Sequence, residues 1–203
     1  MQKDIKYLTK LILLFTLEHG LQMVVFRGVK GANAKLKSAK EIFSFGDFIY
    51  TEGNNKVVIS ADISNSFYEI TKDIKKYYTA CAILDVIKTV LPMGESNPQL
   101  FVLTLKCLEM LAYENIDNYI VLNKFLISIF EGLGYSFNVN KCNNCGLDLK
   151  INRYMNLSYG DITCPLCKIG LYIEISVPVC QALRILHITD IEKLKTLKIP
   201  KDT

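Results

Sequence analysis

Four cysteines stand in two pairs, Cys142/Cys145 and Cys164/Cys167, with eighteen residues between the inner two. This C-x2-C-x18-C-x2-C spacing falls inside the window of a zinc ribbon. Each C-x-x-C turn aims two thiolates at one point, and two such turns on facing hairpins complete a tetrahedron. Gly146 suits the positive φ that a knuckle needs behind its second sulfur, while the second pair is followed by Lys168 and, two residues on, Gly170. Four thiolates leave no coordination position open to water or substrate, so an ion held here is structural. One structural zinc ion is the expectation. The alternatives are two disulfides, a thioredoxin-like redox pair, and metal lost from this chain. Nothing signals secretion, so thiols are expected to stay reduced, and a redox C-x-x-C stands singly beside a βαβ pattern. Cys81, Cys107 and Cys180 lie in apolar helical patterns and read as small buried hydrophobes.

A second constellation is "RGVKGANAKLKSAK", in which Arg27, Lys30, Lys35, Lys37 and Lys40 give five cations and no acid in fourteen residues. Gly28 and Gly31 let backbone approach a ligand closely, and the cations suit phosphates. The opposing reading is a solvated loop kept soluble by its lysines. Phe43, Phe45, Phe48 and Tyr50 follow; alternation along a strand turns some of them outward as stacking platforms, although most are expected in the core.

Other chemistry has little to stand on. The sequence has no G-x-x-x-x-G-K-[ST] phosphate loop, no G-x-G-x-x-G after a strand and no G-x-S-x-G elbow. Its two histidines fall in a predicted turn (His19) and at a helix end (His187), where a histidine complements the helix dipole. No catalytic residue is assigned, and the chain is not expected to be an enzyme.

The elements that must position these residues come in two kinds. Leu11–Thr16 and Leu21–Arg27 read as a hairpin turning at Gly20, and Phe45–Thr51 with Val57–Ala61 as a second pair around Gly53. Short strands in about sixty residues suggest a small barrel or curled sheet. From Phe67 to Ile87 the apolar period becomes helical, predicting one long helix that Pro92 ends. Asn97-Pro98 opens a helix to about Ala112, and Asp117 caps another to about Glu131. After the cysteines, Ser176 caps a helix to His187, and Thr189 with Glu192 forms a capping box for a last short one.

A chain of 203 residues with half of them apolar is long enough for a real core. Net charge is +4, unevenly spread: Lys plus Arg against Asp plus Glu is 12 to 8 over residues 1–80, 3 to 6 over 81–140 and 9 to 6 over 141–203. The N-terminal apolar run Leu11–Leu17 is followed by Glu18-His19-Gly20 where a signal peptide would place small residues. No stretch has the length of a membrane span, so a soluble cytoplasmic protein without membrane contact is expected.

Three stretches taken together, "LEHGLQMVVFRGVKGANAKLKSAKEIFSFGDFIYTEG", "LPMGESNPQLFVLTLKCLEML" and "FLISIFEGLGYSFNVNKCNNCG", resemble the RecO family of bacterial DNA repair and recombination mediators. The likeness runs from about Leu11 to Ile188, and "FEGLGYSFNVNKCNNCG" is its most specific piece. It implies an α+β architecture: an OB-fold β-barrel over residues 1–65, a helical domain over 66–140, a four-cysteine zinc ribbon inserted at 141–172, and helices over 173–203 completing the helical domain. It implies a nucleoid-associated protein that binds single- and double-stranded DNA, anneals complementary strands, and works with RecR against single-strand-binding protein so that RecA loads. The basic loop maps onto Arg27, Lys30, Lys35, Lys37 and Lys40, and the zinc ligands onto Cys142, Cys145, Cys164 and Cys167. The chain departs from the family in having only about ten residues before the first matching strand, so the barrel either lacks its first strand or builds it from Asp4 to Leu8, and its C-terminal helices stop early, at Thr203. The competing readings are a protein-interaction adaptor with an incidental basic loop, and an enzyme with a ribbon-shaped lid, whose phosphate motifs are absent.

Overall fold

The computed structural model describes residues 10–27, 36, 38–53, 56–135, 139–149, 153–156 and 160–197. They form two compact units, residues 1–118 and 119–203.

In the first unit β1 (Lys10–Thr16) and β2 (Gly20–Phe26) pair antiparallel, as do β3 (Phe45–Tyr50) and β4 (Val58–Asn65). Gly20 makes the first turn at φ 61°, which glycine alone adopts without cost. A side chain there would also strike the Glu95 carbonyl, 1.8 Å from an ideal Cβ. The linker past Pro92 therefore lies directly on β2, and the Gly94 N–H donates to the Leu21 carbonyl at 3.0 Å.

The expected closed barrel is not formed among the described residues, which build two separate two-stranded sheets. The hairpins meet at one parallel bridge, Val25 with Val57, where the Val25 N–H donates to the Lys56 carbonyl at 2.7 Å. That contact uses the inner strands and leaves the outer edges of β1 and β3 without a partner strand among the described residues. The strand proposed for Asp4–Leu8 lies outside those residues. Burial follows the same division. Val24, Phe26, Val58 and Ala61 of β2 and β4 are buried, whereas no residue of β1 or β3 is fully so, despite "LILLF" in β1.

The long helix expected from Phe67 to Ile87 is broken into α1 (Tyr68–Thr71) and α2 (Ile74–Val90). The apolar period continues across the break, but Asp73 turns its carboxylate back to accept from the N–H groups of Lys75 and Lys76, starting a new helix. Phe67, wholly buried at φ 44°, makes the corner, with its N–H on the Asn65 side chain at 2.9 Å. In α3 (Pro98–Tyr113) Asn97 is the N-cap, accepting from Leu100 N at 2.9 Å. Phe101 on this helix packs against Phe15 of β1 and Phe45 of β3, at ring-centroid distances of 5.3 and 6.4 Å, tying both edge strands to the helices.

The second unit holds α4 (Asn118–Gly132), a three-stranded sheet in the order β6-β5-β7, and α5 (Val177–Ile188). The strands are β5 (Arg153–Asn156), β6 (Ile162–Thr163) and β7 (Tyr172–Ile175). Ser176 caps α5 by accepting from Val179 N. Lys124, buried on α4, donates to the His187 carbonyl at 3.1 Å, satisfying an end-of-helix acceptor on α5. The His187 ring contacts the Glu131 carboxylate. The capping box expected of Thr189 and Glu192 does not form: Asp190 precedes the last short helix, Ile191–Thr196, and Thr189 ends α5.

Candidate metal centre and nucleic-acid interface

The first knuckle is built by its own backbone. The Cys142 N–H donates to Leu147 O at 2.8 Å and the Gly146 N–H to Cys142 O at 2.9 Å, with Gly146 at φ 72°. The second is a single 3-10 turn, Pro165–Cys167, closed by Cys167 N on Cys164 O at 3.1 Å. Asn143 joins the two: its N–H donates to Ile162 O at 2.9 Å and its side-chain amide to Asp161 at 2.8 Å. The four Sγ atoms of Cys142, Cys145, Cys164 and Cys167 consequently lie within 4.8 Å of one another.

This set fits a metal ion. The Cys145 and Cys164 sulfurs are 3.8 Å apart, which is about the edge of a tetrahedron with metal–sulfur bonds of ~2.3 Å. It is far longer than the ~2.05 Å of a disulfide, and no disulfide joins any of the seven cysteines. Burial alone would raise the Cys142 thiol, but the N–H groups of Cys145, Cys164 and Asn144 outweigh it and bring the pKa down to about 6. Cys167 is pushed up to about 12, chiefly by hydrogen bonds with Cys164 and Cys145. One thiol of the set is thus ready to ligate at neutral pH, while another gives up its proton only to a cation.

Of the five basic residues singled out in the sequence, Arg27 and Lys40 are described; Lys30, Lys35 and Lys37 lie outside the described residues. Arg27 is exposed at the end of β2, and Lys40 is half-buried. The structure adds Lys10, which sequence reasoning missed. Lys10 pairs with Phe26, the neighbour of Arg27, and its Nζ donates to the Lys40 carbonyl at 3.4 Å. Three cationic residues therefore gather at one end of the first hairpin. Only the strand register could have revealed this.

The aromatics after the loop are structural. Phe43 is buried at φ 70° against Tyr77, Phe45 meets Phe101, and Phe48 and Tyr50 pack on the strand core. Between the edges of β1 and β3 runs a cleft of about 1580 Å³, with Phe101 in its lining.

Fold and site define a mixed helix-and-strand protein with a four-cysteine ribbon set between two helices. The family model described as "Recombination protein O C terminal" matches residues 71–203. Over 201 residues the chain is 24% identical to the DNA repair protein RecO of Clostridium novyi (strain NT), covering 98% of this chain and 78% of that protein. Over 203 residues it is 26% identical to the DNA repair protein RecO of Clostridium perfringens (strain 13 / Type A), covering 98% and 82%. With that of Caldanaerobacter subterraneus subsp. tengcongensis it shares 27% over 160 residues, 78% of this chain and 64% of that protein. The chain belongs to the RecO family of DNA repair and recombination proteins. No helix among the described residues is long and apolar enough to cross a membrane.

Proposed function

We propose that this protein is a recombination mediator without catalytic turnover. It binds single- and double-stranded DNA, anneals complementary strands and, with RecR, helps RecA load onto DNA coated by single-strand-binding protein. Family membership supports the role, and the gathering of Lys10, Arg27 and Lys40 at one hairpin end is the observation that places the grip there. Lys30, Lys35 and Lys37 belong to the same surface on this reading. Residues 1–65 are an OB-type barrel, and the cleft between the free edges of β1 and β3 lies where a further strand would close it. The ribbon holds one zinc ion through Cys142, Cys145, Cys164 and Cys167. Zinc supplies a tetrahedral cross-link there and no chemistry, because four thiolates fill its shell.

The test is a fluorescence annealing assay, with and without single-strand-binding protein, titrated with salt. Single-strand binding should fall with salt at a log–log slope of about 4, at ~0.7 per phosphate for six cations. Replacing Lys30, Lys35 and Lys37 by Glu should abolish annealing, and normal annealing by that variant removes the loop from the interface.

A second reading, a protein-docking adaptor, draws on the ribbon's tip, where Leu166, Ile169 and Leu171 are 92%, 78% and 75% exposed. Partner capture that resists nuclease and salt, with no binding of oligonucleotides, would favour it.

A further inference from the structure

Arg153 is a buried cation without an anion. It is 9% exposed, and its Nε and Nη1 have no hydrogen-bond partner. The ion pairs among the described residues join Glu18, Glu69, Glu131 and Asp190 to other bases, and Glu174, on the neighbouring strand, is exposed opposite Tyr154. A guanidinium cannot shed its proton. Its burial is expensive unless an anion shares the site.

The strand register shows which anion that is. Tyr154 pairs with Thr163 and Met155 with Ile162, so one further step sets Arg153 beside Cys164; across the sheet Arg153 pairs with Ile175. Strand residues two apart share a face, which puts Arg153 with Met155, on the side that packs against Cys142, Cys164, Ile162, Ile175 and Cys180. This is the apolar core on which the four-cysteine cluster rests. Cys180 of α5 is not the counter-charge. Burial pushes its pKa up and the Arg153 guanidinium only partly offsets this, so it stays a neutral thiol.

We propose that Arg153 is a positioning residue of the metal centre, one that balances the charge of the four thiolates. Four thiolates around a divalent ion carry a net charge of −2, and a buried guanidinium halves it while directing N–H groups at sulfur. Before metal binds, most of the set is protonated and Arg153 is left uncompensated. The residue therefore disfavours the metal-free ribbon and favours the loaded one. The inference rests on the zinc reading above.

The test uses the full-length chain with Arg153→Met and Arg153→Lys. Zinc affinity is read by chelator competition, the ligand set by the cobalt(II) thiolate charge-transfer band, and stability by thermal unfolding with and without zinc. Arg153→Met should still bind one ion with a four-thiolate cobalt spectrum, but 10- to 100-fold more weakly, the usual cost of losing an outer-shell partner. Arg153→Lys should recover most of that loss. The metal-free Arg153→Met chain should unfold at the same or a higher temperature than the metal-free parent, while the zinc-loaded variant unfolds lower. Equal destabilisation of both states, or parental zinc affinity in Arg153→Met, would make Arg153 a packing residue and overturn the proposal. A parent chain that binds no zinc would overturn the metal reading itself, a failure its own titration distinguishes from a failure of Arg153 alone.

Discussion

Replacing Gly20 by Ala tests whether the β1–β2 hairpin is held by the linker laid against it. Two costs add. A residue with a Cβ at φ 61° pays ~1–2 kcal/mol for the left-handed conformation. That Cβ would also stand 1.8 Å from the Glu95 carbonyl oxygen and 2.5 Å from its carbon, so the linker must lift away. Lifting it breaks the 3.0 Å hydrogen bond from Gly94 N–H to Leu21 O, worth ~1 kcal/mol. The expected loss is about 3 kcal/mol. Gly94 is the matched control, because its φ of 81° is also left-handed but nothing lies within 4 Å of its Cβ position. Gly94→Ala should cost only the conformational part, ~1–2 kcal/mol. The chain has no tryptophan, so amide hydrogen exchange of peptides spanning residues 10–26 is the direct assay. Opening should be roughly 10-fold or more easier in Gly20→Ala than in Gly94→Ala, at 1.4 kcal/mol per decade. Equal exchange in the two variants would refute the argument that the linker clamps the hairpin.

Cys164→Ser should lower zinc content below one ion per chain and open the ribbon to exchange, leaving β1–β4 protection unchanged, since structural zinc contributes on the order of 10 kcal/mol to such modules. Zinc affinity should rise with pH by at least about tenfold per unit between pH 7 and 9, because the proton held on Cys167, pushed up to about 12, must leave when metal binds; a flat profile in competition titrations would contradict that. In the metal-free ribbon the depressed Cys142 value acts on stability with the usual sign for an anion. Its contribution is complete above the ordinary thiol pKa and disappears as pH falls through about 6, which denaturation at pH 5, 7 and 9 would read. Lys10→Gln should reduce the salt slope of single-strand binding by about 0.7 while leaving thermal stability unchanged.

The parts legible in the sequence were those written locally. The ribbon is a matter of spacing, and the caps at Asn97 and Ser176 need only a side chain and an N–H three residues on. The break at Asp73 was hidden because the apolar positions keep helical period through it, and a cap competes with periodicity only once the backbone has turned. The Thr189–Glu192 box failed because Asp190, one residue later, precedes the final helix. Lys10 and Arg153 were illegible for a further reason. Both acquire their meaning from strand register, Lys10 through Phe26 and Arg153 through the neighbours of Cys164, and register is decided by the whole sheet.

On the proposed function, the fate of Phe43, Phe45 and Phe48 bears on how strands are held. Aromatic platforms give single-strand binders their grip by covering base faces. Here the aromatics that follow the basic loop are committed elsewhere, Phe43 to Tyr77, Phe45 to Phe101 and Phe48 to the strand core. That leaves cations on the hairpin end to hold DNA through phosphate, which carries no sequence information and leaves the bases uncovered. An annealing protein must tolerate any sequence and keep base edges free to find their complements. A grip built from charge, with aromatic area spent on tying edge strands to helices, meets both conditions.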